Sequence, residues 1–174
     1  PIDLHLKNLE KMGAHIELKG GYVEATTDGL KGTHLTLDFP SVGATENLMM
    51  AAVLAEGETI IENAALEPEI TDLGNFLNSL GAKISGLDTK TIKIEGVQSL
   101  KGGEYTAIGD RIEAATYIMA ALMTGSQLKV KGFDPGHIDA VLEKLESMGA
   151  SLERFDNGVE VFPSDLKGVD IDTA

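Results

Sequence analysis

The chain has no cysteine and no tryptophan, and aromatic residues make up only 5% of its 174 positions. Without thiols, neither a disulfide framework nor a thiolate metal site can form within it. The four histidines, His5, His15, His34 and His137, show none of the paired spacings of a metal centre, so neither a metal nor a cofactor is expected. Basic residues are scarce as well: 14 Lys and Arg against 28 Asp and Glu give a formal net charge of -14. A surface of that sign repels a nucleic-acid backbone unless cations are segregated onto one face. The lysines occur singly or beside one neighbour, so nucleic acid is not an expected partner. No apolar run reaches the roughly 18 residues of a membrane-spanning helix. The longest, Leu48 to Leu54, is bounded by Glu46, Asn47 and Glu56 and reads as a buried helix, so no membrane association is expected.

What the chain does contain is repetition. Met12-Gly13-Ala14, Leu80-Gly81-Ala82 and Met148-Gly149-Ala150 stand at equal intervals, each closing an amphipathic stretch. Leu30-Lys31-Gly32, Leu100-Lys101-Gly102 and Leu166-Lys167-Gly168 follow them at nearly constant distance, and Met50-Ala51-Ala52 is echoed by Met119-Ala120-Ala121. Self-similarity of this length marks one supersecondary unit written several times. The first copy lacks the short strand that precedes the other two, and the third ends before its second helix. The chain therefore reads as an internal piece of a longer protein. At 43% hydrophobic and 24% charged residues it is globular in composition, with room for one or two packed domains.

Apolar spacing sets the elements. Pro1 to Met12 reads as a helix, with Pro in the first turn and Gly13 at its end. Ile16 to Leu18 and Tyr22-Val23 read as strands hinged at Gly20-Gly21. Leu35 to Leu37 is a third strand, followed by a helix from Ala44 to Ala55 and a strand from Thr59 to Glu62. The second copy predicts a helix from Ile70 to Leu80, strands at Lys83 to Ser85, Thr91 to Glu95 and Glu104 to Thr106, and a helix from Arg111 to Met123. There Asp110 and Glu113 have the spacing of a capping box. The third copy predicts a strand at Gln127 to Val130, a helix from Ile138 to Met148, and strands at Ser151 to Arg154, Val159 to Phe162 and Val169 to Ile171. Strands mixed with two helices per copy give a layered α/β (α+β) fold.

Four strings then stand out: Pro1-Ile2-Asp3-Leu4-His5-Leu6, Asp38 to Thr45 (DFPSVGAT), Ala55 to Ala65 with its continuation Glu67-Pro68-Glu69-Ile70, and Asp110-Arg111-Ile112-Glu113. Together they resemble the UDP-N-acetylglucosamine 1-carboxyvinyltransferases, a branch of the enolpyruvyl transferase family acting in peptidoglycan synthesis. The resemblance runs the length of the chain. It implies six βαβαββ units arranged three to a lobe, an inside-out α/β barrel here truncated at both ends. Residues 1–109 would be the C-terminal half of the first lobe, with a partial second unit and the third unit. Residues 110–174 would open the second lobe.

The resemblance implies a cytoplasmic enzyme that transfers enolpyruvyl from phosphoenolpyruvate (PEP) to the 3-hydroxyl of UDP-N-acetylglucosamine. Its reactive loop and PEP-holding cations would lie outside this segment, which carries no catalytic residue and is expected to be inactive alone. By the same likeness Pro1 packs on the uracil, main-chain groups at Ile2, Asp3 and Leu4 read its edge, and His5, Ser41, Val42 and Gly43 face the nucleotide sugar. Phe39 stands where some members carry a diphosphate-contacting Lys, which leaves that side of the pocket less positive. Glu67, Glu69, Asp110 and Arg111 would border the cleft between lobes.

As residue types alone, Ser41-Val42-Gly43 is an N-cap turn, Glu67 and Glu69 are acids at a helix start, and Asp110 is a cap. The rival readings are the related 5-enolpyruvylshikimate-3-phosphate synthases, whose phosphorylated substrate asks for more basic residues, and a non-enzymatic repeat-built clamp, which asks for a basic inner surface.

Overall fold

A computed structural model describes residues 2–171. The chain divides into two compact units, residues 1–107 and 108–174.

The first unit contains α1 (Asp3–Lys11), β1 (His15–Lys19), β2 (Tyr22–Thr26), β3 (His34–Thr36), α2 (Val42–Val53), β4 (Glu58–Glu62), α3 (Pro68–Ser79), β5 (Lys83–Ser85) and β6 (Thr91–Glu95). β1 and β2 form an antiparallel ribbon, and the other four strands form a sheet in the order β3-β4-β6-β5. β3 runs parallel to β4, while β4–β6 and β5–β6 are antiparallel. Alternation sends Thr59 and Ile61 of β4, and Ile92 and Ile94 of β6, into the interior. There they meet Leu48, Met49, Ala52 and Val53 of α2 in one core. α2 packs against α1, α3 and the sheet, so it buries more than one stripe, as its nearly unbroken apolar sequence requires. Each fully buried Leu or Ile there contributes about 1.5–3 kcal/mol relative to exposure.

The second unit contains α4 (Arg111–Met123), β7 (Leu128–Lys131), a 3-10 turn (Pro135–Ile138), α5 (Asp139–Ser147), β8 (Ser151–Phe155) and β9 (Gly158–Phe162). Its sheet runs β7-β9-β8 with both pairings antiparallel. That is the arrangement of β4-β6-β5, so β4-α3-β5-β6 and β7-α5-β8-β9 are two copies of one layout. Ile118, Leu142, Val159 and Val161 make its centre. Among the described residues neither sheet closes into a barrel.

The repeat read from the sequence is present atom for atom at the helix ends. Gly13, Gly81 and Gly149 have φ of 100°, 102° and 99°, a region where only glycine is free of strain. Ala14, Ala82 and Ala150 donate their amides to Leu9, Leu77 and Leu145, each at 3.0 Å. The glycine amides donate to Glu10, Asn78 and Glu146 at 2.9, 3.0 and 2.9 Å. This is the Schellman motif, which satisfies carbonyls that a helix end otherwise leaves open. The Leu-Lys-Gly marker is explained as well: Lys31, Lys101 and Lys167 donate their amides to Met12, Leu80 and Met148, each at 2.8 Å.

Three expectations are corrected. Glu104 to Thr106 is not a strand; Tyr105 instead lies on α3, its ring 5.3 Å from that of Phe76 and its hydroxyl donating to Asp72 Oδ1 at 2.8 Å. Val169 to Ile171 is likewise not a strand; Lys144 Nζ donates to the Asp170 carbonyl there at 3.0 Å. α2 begins at Val42, earlier than Ala44, because Ser41 is its cap.

Candidate functional site

Two helix starts in the first unit meet. α1 begins after Ile2, whose carbonyl accepts from the amides of His5 and Leu6 at 3.0 and 3.1 Å and whose side chain is exposed. Asp3 is the acid of the first turn, and no side chain caps the helix. Leu4 points into the core, and its carbonyl accepts from buried Asn8 Nδ2 at 2.7 Å. Pro1 lies outside the described residues.

α2 starts at Ser41, whose Oγ accepts from the Ala44 amide at 3.3 Å. The Ser41 carbonyl takes both the amide and the hydroxyl of Thr45, at 2.9 and 2.7 Å. The amides of Val42 and Gly43 have no acceptor among the described residues, and the first turn of α2 holds no acidic side chain. Two open N–H groups at the positive end of a helix favour an anion. Phe39, 58% exposed, stands beside this turn and adds no charge. The neighbouring cation, Lys7 of α1, is paired with Asp38 at 3.1 Å.

His5 joins the two starts. Its Nδ1 is 3.1 Å from Asn47 Nδ2 of α2, and a β-carbon built on Gly43 would stand 3.7 Å from its Cε1. The family resemblance implied one pocket for Ile2 to His5, Phe39 and Ser41 to Gly43; the structure brings His5 against Gly43. Asn47 was passed over; its position four residues after Gly43, on the same helix face, was the available signal.

A second feature lies along α2, where that helix packs against α3. Glu67 is the N-cap position of α3, Pro68 its first residue and Glu69 the acid of its first turn. Glu69 lines an open depression of about 510 Å³ with Glu46 of α2, Asp72, Phe76 and Tyr105. Burial, with the charge of Glu69 behind it, raises the Glu46 carboxyl above its ordinary value. The hydrogen bond to Asp72, with smaller effects of burial and charge, raises the phenol of Tyr105. In the second unit Asp110 caps α4, its Oδ1 accepting from Ile112 and Glu113 at 2.8 and 3.0 Å, and Arg111 opens the helix. The reciprocal half of a capping box, from the Glu113 side chain, is not formed among the described residues.

No cluster of three His, Cys, Asp or Glu side chains able to hold a metal occurs among the described residues, and none of their helices is long and apolar enough to cross a membrane.

These two layered units have the fold of solved enolpyruvyl transferases. The structure of NikO from Streptomyces tendae superposes with a TM-score of 0.81 over 94% of this chain and 42% of that one, at 23% identity. An EPSP synthase from Acinetobacter baumannii gives 0.73 over 99% of this chain and 42% of that one, at 24% identity. The family profile described as EPSP synthase (3-phosphoshikimate 1-carboxyvinyltransferase) matches residues 1–174, and the chain belongs to that family. Its curated relatives include UDP-N-acetylglucosamine 1-carboxyvinyltransferases. That of Idiomarina loihiensis is 53% identical over 92% of this chain and 39% of its own length. That of Solidesulfovibrio magneticus is 53% identical over 99% and 42%, and that of Acinetobacter baylyi 54% over 92% and 39%. The chain therefore spans about 40% of the length of such relatives. The resemblance read from the four strings is borne out.

Proposed function

We propose that the chain forms the nucleotide-sugar-binding part of a cytoplasmic enzyme that moves the enolpyruvyl group of PEP onto the 3-hydroxyl of UDP-N-acetylglucosamine for peptidoglycan synthesis. The observation that carries this reading is the 53% identity, over 99% of the chain, with a transferase named for that substrate. The meeting of His5 with the open amides of α2 supports it.

In this reading main-chain groups of Ile2, Asp3 and Leu4 read the uracil edge, and the amides of Val42 and Gly43 receive the diphosphate. Phe39 narrows that side without adding charge. In this reading residues 1–109 belong to one lobe and residues 110–174 open the next.

The chemistry adds the sugar hydroxyl oxygen to C2 of PEP while its methylene carbon takes a proton. Phosphate then leaves C2, and a proton leaves the methyl group to restore the double bond. Such a reaction needs a dry cleft and cations around phosphate and carboxylate. In this reading those cations lie outside residues 1–174, and this segment binds without turning over.

Titration calorimetry tests the assignment. UDP-N-acetylglucosamine is expected to bind, with uridine diphosphate competing. The family description makes shikimate 3-phosphate the necessary second arm; binding of that compound in preference to the nucleotide sugar overturns the reading in favour of the sister branch. Competition by duplex DNA would favour a clamp.

A further inference from the structure

The imidazole of His5 is held from two sides by one helix. Gly43 and Asn47, four residues apart on α2, form a ledge and a post: the Cε1 and Nε2 edge of the ring faces the Gly43 α-carbon, within 3.7 and 3.9 Å of a β-carbon built there, and Nδ1 faces the Asn47 amide nitrogen at 3.1 Å. An amide nitrogen only donates, so Nδ1 must accept. The neutral ring then carries its proton on Nε2, the atom lying beside the first turn of α2. We propose that Asn47 is a positioning residue for the nucleotide-sugar site, fixing His5 as the Nε2–H tautomer so that it presents a third donor beside the open amides of Val42 and Gly43.

The proposal rests on the reading that this site takes the diphosphate of a nucleotide sugar. Three donors and no carboxylate in the first turn suit a group whose oxygens only accept. Were the tautomer reversed, Nε2 would turn a lone pair toward the phosphate oxygens and repel them. Gly43 has its own part, since a side chain there would crowd the ring edge that carries the proton.

Long-range proton–nitrogen NMR on the ligand-free protein reads the tautomer directly. In the wild-type protein the expected signature is a pyridine-type Nδ1 and a pyrrole-type Nε2 for His5. Asn47→Ala removes the donor and lets the tautomers mix. Asn47→Asp, of the same shape but accepting only, draws the proton to Nδ1. Calorimetry with UDP-N-acetylglucosamine should show affinity falling about twofold in Asn47→Ala, because roughly half of the rings then lack the proton on Nε2.

A wild-type Nδ1–H tautomer overturns the proposal without any variant. So does an Asn47→Ala spectrum indistinguishable from wild type, or unchanged affinity in that variant. Because the spectrum needs no ligand, a wild-type protein with the expected tautomer and no affinity for the nucleotide sugar would sink the functional reading and leave the orienting role of Asn47 standing.

Discussion

Thr45 offers a sharp test of how the start of α2 is held. Its side chain is fully buried, and its hydroxyl both donates to the Ser41 carbonyl at 2.7 Å and accepts from the Ala65 amide at 3.1 Å. Ala65 is itself buried and stands two residues before Glu67, so one hydroxyl ties the candidate anion turn to the approach to α3. Thr45→Val keeps the volume and deletes the hydroxyl. The Ser41 carbonyl retains the Thr45 amide at 2.9 Å, but the Ala65 amide is left buried with no acceptor. A stranded donor costs about 1–3 kcal/mol and the lost bond about 0.5–1.5 more, so the expected loss is roughly 2–4 kcal/mol. Thr45→Ser keeps both bonds and removes one methyl, about 1 kcal/mol. Urea unfolding reads the difference as a shift in midpoint at constant slope. If Thr45→Ser costs as much as Thr45→Val, or Thr45→Val falls within about 0.5 kcal/mol of wild type, the hydroxyl is not the tie described.

Two further outcomes follow from particular contacts. Burial and Glu69 raise the Glu46 carboxyl above 4.5, so the folded state holds that proton more tightly than the unfolded chain. Its contribution to stability is present below the unfolded pKa and is lost as pH rises through the folded one. Glu46→Gln should therefore raise Tm at neutral pH, with the gain vanishing in acid below the unfolded value; a gain that persists there refutes the assignment. A β-carbon on Gly96 runs into the backbone carbonyl of Ala55, whereas one on Gly102 meets nothing within 4 Å. Gly96→Ala should cost on the order of 3 kcal/mol in urea unfolding and Gly102→Ala almost nothing; equal effects would contradict the close approach.

Local signals were legible and pairing was not. Period and punctuation located the five α-helices of the described residues, because a glycine at a helix end and an apolar stripe are properties of neighbouring residues. Alternation located β4, β5, β6, β8 and β9 to within a residue or two. It also read Glu104 to Thr106 and Val169 to Ile171 as strands, by analogy with Leu35 to Leu37. β3 exists because β4 offers it an edge, His34 opposite Ile60; a strand is a relation between two segments, and three residues of composition do not reveal whether the second is there. The candidate site followed the same rule. Ser41 announced its cap, and the family strings pointed to His5, but the contact across α1 and α2 that makes Asn47 matter is tertiary. So is the acidic depression formed by Glu46, Glu69 and Asp72, whose members lie on two helices with no shared spacing.

The backbone latch from Lys31, Lys101 and Lys167 to the preceding helix end has the same length in all three copies, although the second copy has a longer intervening stretch. Whatever lies between helix end and latch is therefore free to lengthen or shorten without disturbing the joint. Evolution and protein engineers alike have in the Gly20-Gly21 bend of the first copy a place to insert sequence while the module around it keeps its register.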